Sequence, residues 1–196
     1  MPKLVDHARQ RRELATTAAE VVAECGLEQT TLRAVAARHG CTKGMVQHYF
    51  ADKNALLMAV LEQIEEVADA RMPVANGQLE GLELVHARLA SLLPASPAAR
   101  REWQVRLAFT SASTLSKDIQ SSISRRRDAR QRATITGLRS AQKIGELRHR
   151  RSLLNTCRAL DALVSGIGLW TALDAAAYPP AVQRRILRTA IDDLRH

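Results

Sequence analysis

Apolar residues recur three and four positions apart along almost the whole chain, and glycine or proline interrupts this pattern at intervals. No stretch shows the alternation of Val, Ile or Thr that a half-buried strand requires. The sequence therefore predicts an all-α fold with nine helices. We expect these helices at residues 9–25, 32–39, 43–49, 53–71, 79–93, 98–111, 117–144, 153–175 and 180–194.

Capping residues set the expected ends of the first four helices. Gly26 and Gly40 stand where a left-handed residue closes a helix. Thr42 and Asp52 can accept hydrogen bonds from the first backbone N–H groups of the third and fourth helices. Pro73 then breaks the chain.

These boundaries predict a three-helix N-terminal domain, residues 1–51, and a second domain, residues 52–196, that begins with a connecting helix over residues 52–71. Helical spacing places one apolar face of the connecting helix toward a core. Its expected members are Leu56, Leu57, Val60, Leu61, Ile64 and Val67.

Composition excludes several classes. No apolar run has the length of a signal peptide or of a membrane span, so we expect a cytoplasmic protein. Three cysteines without CxxC spacing predict neither a disulfide framework nor a zinc site, and we expect Cys25, Cys41 and Cys157 to be small buried residues. We expect no cofactor.

The net charge of +9 is unevenly distributed. Residues 1–50 hold seven basic against five acidic residues, whereas residues 100–151 hold fourteen against four. The N-terminal domain is therefore only weakly basic, and net charge alone is poor evidence for DNA binding there.

Residues 30–50, TTLRAVAARHGCTKGMVQHYF, have the pattern of a helix-turn-helix. In this motif a short turn containing glycine joins two helices, and the second helix enters the major groove of DNA. The residues expected to face the core are Leu32, Val35, Ala36, Val46 and Phe50.

The outward face of the second helix then carries Lys43, Gln47 and His48. Gly44 allows close approach to DNA, and Met45 offers an apolar contact for a thymine methyl group. Gln47 can pair with the edge of an adenine.

The segment resembles the N-terminal domain of the TetR (tetracycline repressor) family, whose pattern is Thr-x-x-x-(Ile/Val)-Ala, Gly-(Val)-(Ser/Thr)-x-Gly and Tyr-Phe-x-x-Lys-x-x-Leu. The matching residues are Thr31, Val35, Ala36, Gly40, Thr42, Gly44, Tyr49, Phe50, Lys53 and Leu56. The resemblance implies that Thr31, Thr42, Tyr49 and Lys53 hold phosphates.

Three further positions qualify the resemblance. Lys43 is an expected additional anchor, whereas Arg33 either contacts DNA or is a solvated surface residue. Cys41 replaces the usual Val, and Gln47 replaces a commonly aromatic residue, so no operator preference carries over from relatives.

The resemblance also implies that the second domain binds a small-molecule effector and dimerises through its last two helices. Residues 145–170 are similar to the betaine-regulator branch, with its Gly-x-Leu-Arg motif. Apolar stripes on both helices fit a two-fold, four-helix interface, although an ordinary internal core would leave the same pattern.

An effector pocket needs apolar walls and a few polar groups. The candidates are Trp103, Arg106, Phe109, Thr110, Trp170 and His86. Core packing explains each tryptophan equally well, and so few rings make an aromatic cage for a choline-like cation poorly supported. The arginine-rich run at residues 125–132 is either a solvated helix face or a site for an anionic partner.

We find no nucleophile, metal or phosphate-loop motif, so we expect no enzyme. The expected function is a dimeric, ligand-responsive repressor that binds a palindromic operator and is released when an effector moves the connecting helix. The alternative is a helical adaptor that lacks specific DNA binding.

Overall fold

A computed structural model describes residues 2–73, 79–114, 116–147 and 152–195, with side chains described from residue 7 onward. Within these ranges there are nine helices and no strand, so the predicted all-α fold is confirmed. The helices are α1 (Pro2–Gln29), α2 (Leu32–His39), α3 (Lys43–Tyr49), α4 (Lys53–Ala70), α5 (Gly81–Ala90), α6 (Pro97–Ala112), α7 (Lys117–Lys143), α8 (Leu153–Leu173) and α9 (Pro180–Asp192). None of the described helices is long and apolar enough to cross a membrane.

Helix ends follow the capping signals, with two informative differences. Gly26 interrupts α1 with φ 77° and ψ 173°, and one further helical turn follows it. Helix α8 ends at Leu173, slightly before the predicted residue 175, because Asp174 Oδ1 accepts hydrogen bonds from the N–H groups of Ala176 and Ala177 at 3.1 and 3.0 Å. This side-chain turn satisfies backbone donors outside the helix.

Two compact units divide the chain. The first comprises Met1–Val67 and Gln104–Gln120, and the second comprises Ala68–Trp103 and Ser121–His196. The functional division at residue 51, between DNA binding and ligand binding with dimerisation, stays a prediction. Arg148, the last residue of the Gly-x-Leu-Arg motif, lies outside the described residues.

The core of the first unit is built from one face each of α1 to α4. Its buried members include Leu14, Ala18, Leu32, Val35, Val46, Phe50, Leu56, Val60 and Ile64. The prediction that Val67 faces inward is wrong, because its exposed fraction is 39%, whereas Ala68 is fully buried. After Ile64, the apolar face of α4 continues four positions later at Ala68, rather than three positions later at Val67.

The second unit packs α5, α8 and α9 with parts of α6 and α7. Leu82, Leu89, Leu138, Leu187 and Ile191 are among its fully or almost fully buried residues. The amide nitrogen of the buried Gln183 donates to the Tyr178 carbonyl at 2.8 Å, whereas the amide oxygen is buried without a hydrogen-bond partner among the described residues.

Two of the three cysteines depart from the expected burial. Cys157 is buried as predicted, but Cys25 is exposed and Cys41 is only half-buried. Cys25 precedes the break at Gly26 on the outward side of α1, and Cys41 lies in the turn between α2 and α3.

Candidate DNA-binding surface and effector site

The N-termini of α2 and α3 are each capped by a threonine hydroxyl. Thr31 Oγ1 accepts from Ala34 N–H at 3.1 Å, and Thr42 Oγ1 accepts from Met45 N–H at 3.2 Å. Both threonines are exposed. A capping hydroxyl uses a lone pair and retains its proton, so each of them can also donate to a phosphate oxygen at the positive end of a helix.

The turn between these helices depends on Gly40. It adopts φ 77° and ψ 30°, the left-handed conformation, and its N–H donates to the Ala36 carbonyl. A side chain at this position would strain the backbone, so glycine is favoured for conformational reasons.

Helix α3 is buried on one side and exposed on the other. Val46 is fully buried, and Phe50, the residue that follows the helix, is 1% exposed. Lys43, Gly44, Gln47 and His48 are exposed, while Met45 and Tyr49 are half-buried. Lys43, Gly44, Gln47 and His48 therefore lie on the exposed face of α3, and Met45 and Tyr49 border it.

Gly44 has no internal packing reason to be glycine. A Cβ built there would have only Thr42 Oγ1 within 4 Å, at 3.8 Å. Its backbone is helical, where alanine is about 1 kcal/mol more favourable. Glycine at an open, exposed position of a helix is consistent with the close approach of an external molecule.

Sequence reasoning missed His7, on the first turns of α1. Its ring lies 4.6 Å from the ring of Tyr49 and 5.7 Å from that of His48, and Tyr49 and His48 contact each other at 5.1 Å. These three rings form a polar aromatic cluster beside the exposed face of α3. His48 and Tyr49 lie 41 and 42 positions after His7, so local spacing carried no signal of the contact.

Lys53, a predicted phosphate anchor, has an internal partner. Its Nζ donates to the Glu28 carbonyl at 2.7 Å, near the end of α1. In the same unit, the Arg11 guanidinium lies 5.1 Å above the ring of Phe50. Both cations link α1 to the segment that follows α3.

His39 joins α1 to the end of α2 through both ring nitrogens. Its Nδ1 lies 2.9 Å from Thr17 Oγ1, and its Nε2 lies 3.2 Å from Gln10 Nε2. Thr17 Oγ1 donates its proton to the Glu13 carbonyl, so it accepts from Nδ1–H, and Nε2 accepts from the amide. The neutral ring with its proton on Nδ1 satisfies all of these contacts.

Arg38, next to His39, forms a two-pronged ion pair with Glu24 of α1, with Nη1 to Oε1 at 2.9 Å. Hydrogen bonding to Arg38 lowers the pKa of the exposed Glu24 carboxyl. Arg33, on the first turn of α2, is exposed. Both arginines are therefore exposed, but Arg38 is held by its ion pair with Glu24.

The six candidate effector residues are divided between the two units. In the second unit, Trp103 is 6% exposed and its indole N–H donates to the Leu92 carbonyl at 2.7 Å, whereas Trp170 is 53% exposed. His86 Nδ1 accepts from Arg188 Nη2 at 3.1 Å, and Arg188 pairs with Glu83. Within this unit, Trp103 therefore packs in the core, Trp170 faces solvent, and His86 belongs to an ion-pair network.

The other three candidates lie in the first unit. Phe109 is fully buried, and Arg106 pairs with the buried Glu65 at 3.3 Å. Thr110 Oγ1 donates to the Arg106 carbonyl at 2.8 Å. Arg106 thus places a positive charge beside the buried Glu65 carboxylate.

Two cavities in the first unit were not predicted. One of about 170 Å³ lies between α1 and α4 and includes Arg11, Arg12, Glu62 and Glu66. The other, about 420 Å³ and shallower, shares Arg12 with the first and reaches His39. Their linings mix both signs of charge.

A polar cluster is buried between α7 and α8. Cys157 Sγ lies 3.8 Å from Asp161 Oδ2 and 3.9 Å from the Gln131 carbonyl. Burial, chiefly, raises the pKa of Cys157 to about 12, and burial also raises the pKa of Asp161. This thiol is therefore a weak hydrogen-bond donor rather than a nucleophile.

Apolar side chains are exposed at the end of α8. Leu169, Trp170 and Leu173 have exposed fractions of 42%, 53% and 69%. Three large apolar residues within five positions form a contiguous patch of the kind that marks a protein interface.

Helices α2 and α3 are joined by a short turn, each is capped by a threonine hydroxyl, and α3 exposes a polar face. This arrangement defines a helix-turn-helix protein. Family comparisons agree with this class. The model of bacterial regulatory proteins of the tetR family matches residues 14–60, and that of the BetI-type transcriptional repressor C-terminal domain matches residues 82–196. The chain belongs to the TetR family of transcriptional regulators, which confirms the resemblance and the expectation that it is not an enzyme.

Individual relatives share parts of the chain. It is 31% identical to the transcriptional regulator PksA of Bacillus subtilis over 120 residues, which is 61% of this chain and 58% of that protein. It is 39% identical to the regulator BetI of Escherichia coli over 64 residues, a third of each chain. The matched segments thus span less than two thirds of these relatives.

Solved structures match over nearly the full length. A transcriptional regulator from Rhodococcus sp. Rha1 has a TM-score of 0.83 at 26% identity, covering 94% of this chain and 95% of that one. A regulator from Saccharomonospora viridis, solved in complex with choline, has a TM-score of 0.86 at 22% identity, covering 94% and 96%. The similarity to the S. viridis regulator shows a shared fold.

Proposed function

We propose that this protein represses transcription by binding a palindromic operator as a homodimer, and that a small-molecule effector releases it. The observation that carries the proposal is the exposed face of α3, with Lys43, Gly44 and Gln47 beside the Thr42 cap. A helix that leaves polar residues outward and packs through Val46, with Phe50 buried directly after it, fits a recognition helix.

Roles on this surface follow from chemistry. Thr31, Thr42, Tyr49, Lys43 and Lys53 hold phosphates. Gln47 pairs with adenine, Met45 contacts a thymine methyl group, and His48 and Arg33 lie at the edge of the same surface. The phosphate contacts set the affinity for DNA, and Gln47 sets the preference for a base sequence.

Dimerisation through α8 and α9 is supported by the apolar patch at Leu169, Trp170 and Leu173. A two-fold interface would place two recognition helices one duplex turn apart, roughly 34 Å. The dimer therefore reads the two half-sites of a palindrome.

The effector acts by a population shift through the connecting helix, α4. We retain Trp103, Arg106, Phe109, Thr110, Trp170 and His86 as candidate contacts, although each has a structural partner or position described above. Choline is the first compound to test, because it is bound in the S. viridis regulator of the same fold.

Selection of genomic fragments by the purified protein tests the DNA-binding proposal. Lys43→Ala should weaken binding to every duplex and flatten its salt dependence, whereas Gln47→Ala should change the selected sequence. Arg101→Ala removes one exposed charge outside the motif and outside helices α8 and α9, and serves as the matched control.

Three outcomes oppose the proposal in different ways. No enriched sequence for the unmodified protein would favour the helical adaptor. An unchanged preference in Gln47→Ala would remove Gln47 as a base reader. A reporter strain that lacks the regulator and shows reduced operator-driven expression would make it an activator.

A further inference from the structure

Helix α7 carries a line of basic residues along one exposed face. Arg125, Arg132 and Arg139 are seven positions apart, and Lys143 follows four positions later; all four are exposed. Seven residues are close to two helical turns, so these side chains lie within about 40° of one another around the helix. The line from residue 125 to residue 143 is about 27 Å long at about 1.5 Å per residue. We call these four residues the α7 basic stripe.

The charge of the stripe is not balanced by its own helix. Residues 121–143 hold seven basic residues and one acidic residue. That acid, Asp128, flanks the stripe and is paired with Arg127 at 3.6 Å. Among the described residues, no ion pair involves a member of the stripe, whereas the neighbouring Arg126 is paired with Asp69 at 3.0 Å.

The other exposed positions on this face are small. Ser121 precedes the basic residues, Ala129 and Thr136 lie between them, and no large apolar side chain is exposed on this face. A protein interface usually contains aromatic or large aliphatic anchors at its centre. A helix that lies on a membrane needs an apolar face beside its basic one. The composition of this face therefore fits neither a protein partner nor a membrane surface.

We propose that the α7 basic stripe binds the phosphate backbone of duplex DNA without sequence preference. Duplex DNA presents about one negative charge per 1.7 Å of its axis, so roughly 16 phosphates lie within the length of the stripe. Arginine, lysine and hydroxyl side chains are the groups that contact phosphates in protein–DNA complexes. The inference adds a second DNA contact to the one proposed for the helix-turn-helix, and it rests on DNA being the partner of this protein.

The test compares two triple variants of the full chain that lose the same charge. Arg125, Arg132 and Arg139 are changed to Gln in the first, and the exposed residues Arg71, Arg101 and Lys117, which lie outside the stripe, the helix-turn-helix and helices α8 and α9, are changed to Gln in the second. Fluorescence anisotropy measures binding to a random-sequence duplex of 30 base pairs between 50 and 200 mM NaCl. Circular dichroism and sedimentation serve to check that both variants keep the fold and the oligomeric state.

Each lost phosphate contact should flatten the slope of log K against log salt by about 0.9, so the stripe variant should lose about 2 to 3 in slope per bound protomer. The second variant should keep the original slope. Equal slopes in the two variants would overturn the proposal and leave only the general field of a basic protein. The proposal would also be overturned if the stripe variant lost more affinity for anionic phosphatidylserine vesicles than for DNA.

The same assay separates this proposal from the one on which it rests. Absence of an enriched operator in genomic selection would refute specific DNA binding, yet the slopes on random duplex would still be measurable. Conversely, Gln47→Ala should leave the random-duplex slope unchanged while altering selection.

Discussion

Gly168 of α8 lies directly against the indole ring of Trp103. A Cβ built on Gly168 would overlap the ring atoms Cε3 and Cζ3, and the indole N–H is fixed by its hydrogen bond to the Leu92 carbonyl. The ring therefore cannot withdraw without losing that bond, so glycine is required at this position for packing.

Gly168→Ala should lower the free energy of unfolding by about 1 to 3 kcal/mol, because the added methyl group overpacks the core. Gly166→Ala is the matched control, since no atom lies within 4 Å of a Cβ there. Alanine should stabilise that helical position by up to about 1 kcal/mol. Urea unfolding of both variants measures the difference. Equal changes in the free energy of unfolding would mean that Trp103 does not pack closely against Gly168.

His86 should make stability depend on pH. Burial, chiefly, and the adjacent Arg188 lower the pKa of His86 below its ordinary 6.5. As pH falls below that ordinary value, the unfolded state binds the proton first, so stability falls until the folded-state pKa is passed. His86→Gln should reduce the loss of stability between pH 7 and pH 5.

The unmodified protein is the control for this experiment. Thermal unfolding at half-unit pH steps measures both. The range stops at pH 5 because Arg188 lowers the pKa of Glu83 below its ordinary 4.5, which adds a second loss at lower pH. A His86→Gln profile parallel to the original would contradict the assignment.

The three cysteines should react with a thiol reagent in the order of their exposure. Cys25 should react first and Cys41 more slowly, whereas Cys157 should react only after unfolding, because it is buried and its pKa is raised to about 12. Timed labelling with dithionitrobenzoate, followed by peptide mass spectrometry, measures the order. Labelling of Cys157 in the folded protein at a rate near that of Cys25 would show that α7 and α8 separate readily.

Leu173→Ser should weaken the proposed dimer, because it removes the most exposed apolar side chain of the α8 patch. The control is Ile144→Ser, which removes another large apolar residue, 48% exposed, outside α8 and α9. Sedimentation at micromolar concentration should show monomer for the first variant and dimer for the second. If both remain dimeric, the interface lies elsewhere.

Local signals predicted much of this fold because they act within a few residues. The threonine caps of α2 and α3 and the left-handed Gly40 occur where spacing placed them, and the core side of α3 was clear from Val46 and Phe50. A single difference in step, from Ile64 to Ala68, was enough to make the assignment of Val67 wrong.

Contacts distant in sequence escaped prediction. The ring of His7 beside Tyr49 and the ring of Trp103 against Gly168 depend on how helices pack, which periodicity does not specify. The sequence also could not distinguish a tryptophan of the core from one in solvent, and the structure places Trp103 and Trp170 in these two environments.

The bond from Lys53 to the Glu28 carbonyl has a thermodynamic consequence for DNA binding. An ammonium group has three protons, so Lys53 can keep this carbonyl and still donate to a phosphate. A solvated lysine loses up to about 2 kcal/mol of rotamer freedom when it is immobilised, whereas Lys53 loses that freedom when the chain folds. The operator would then meet a cation already held in position, and this preorganisation lowers the entropic cost of the complex.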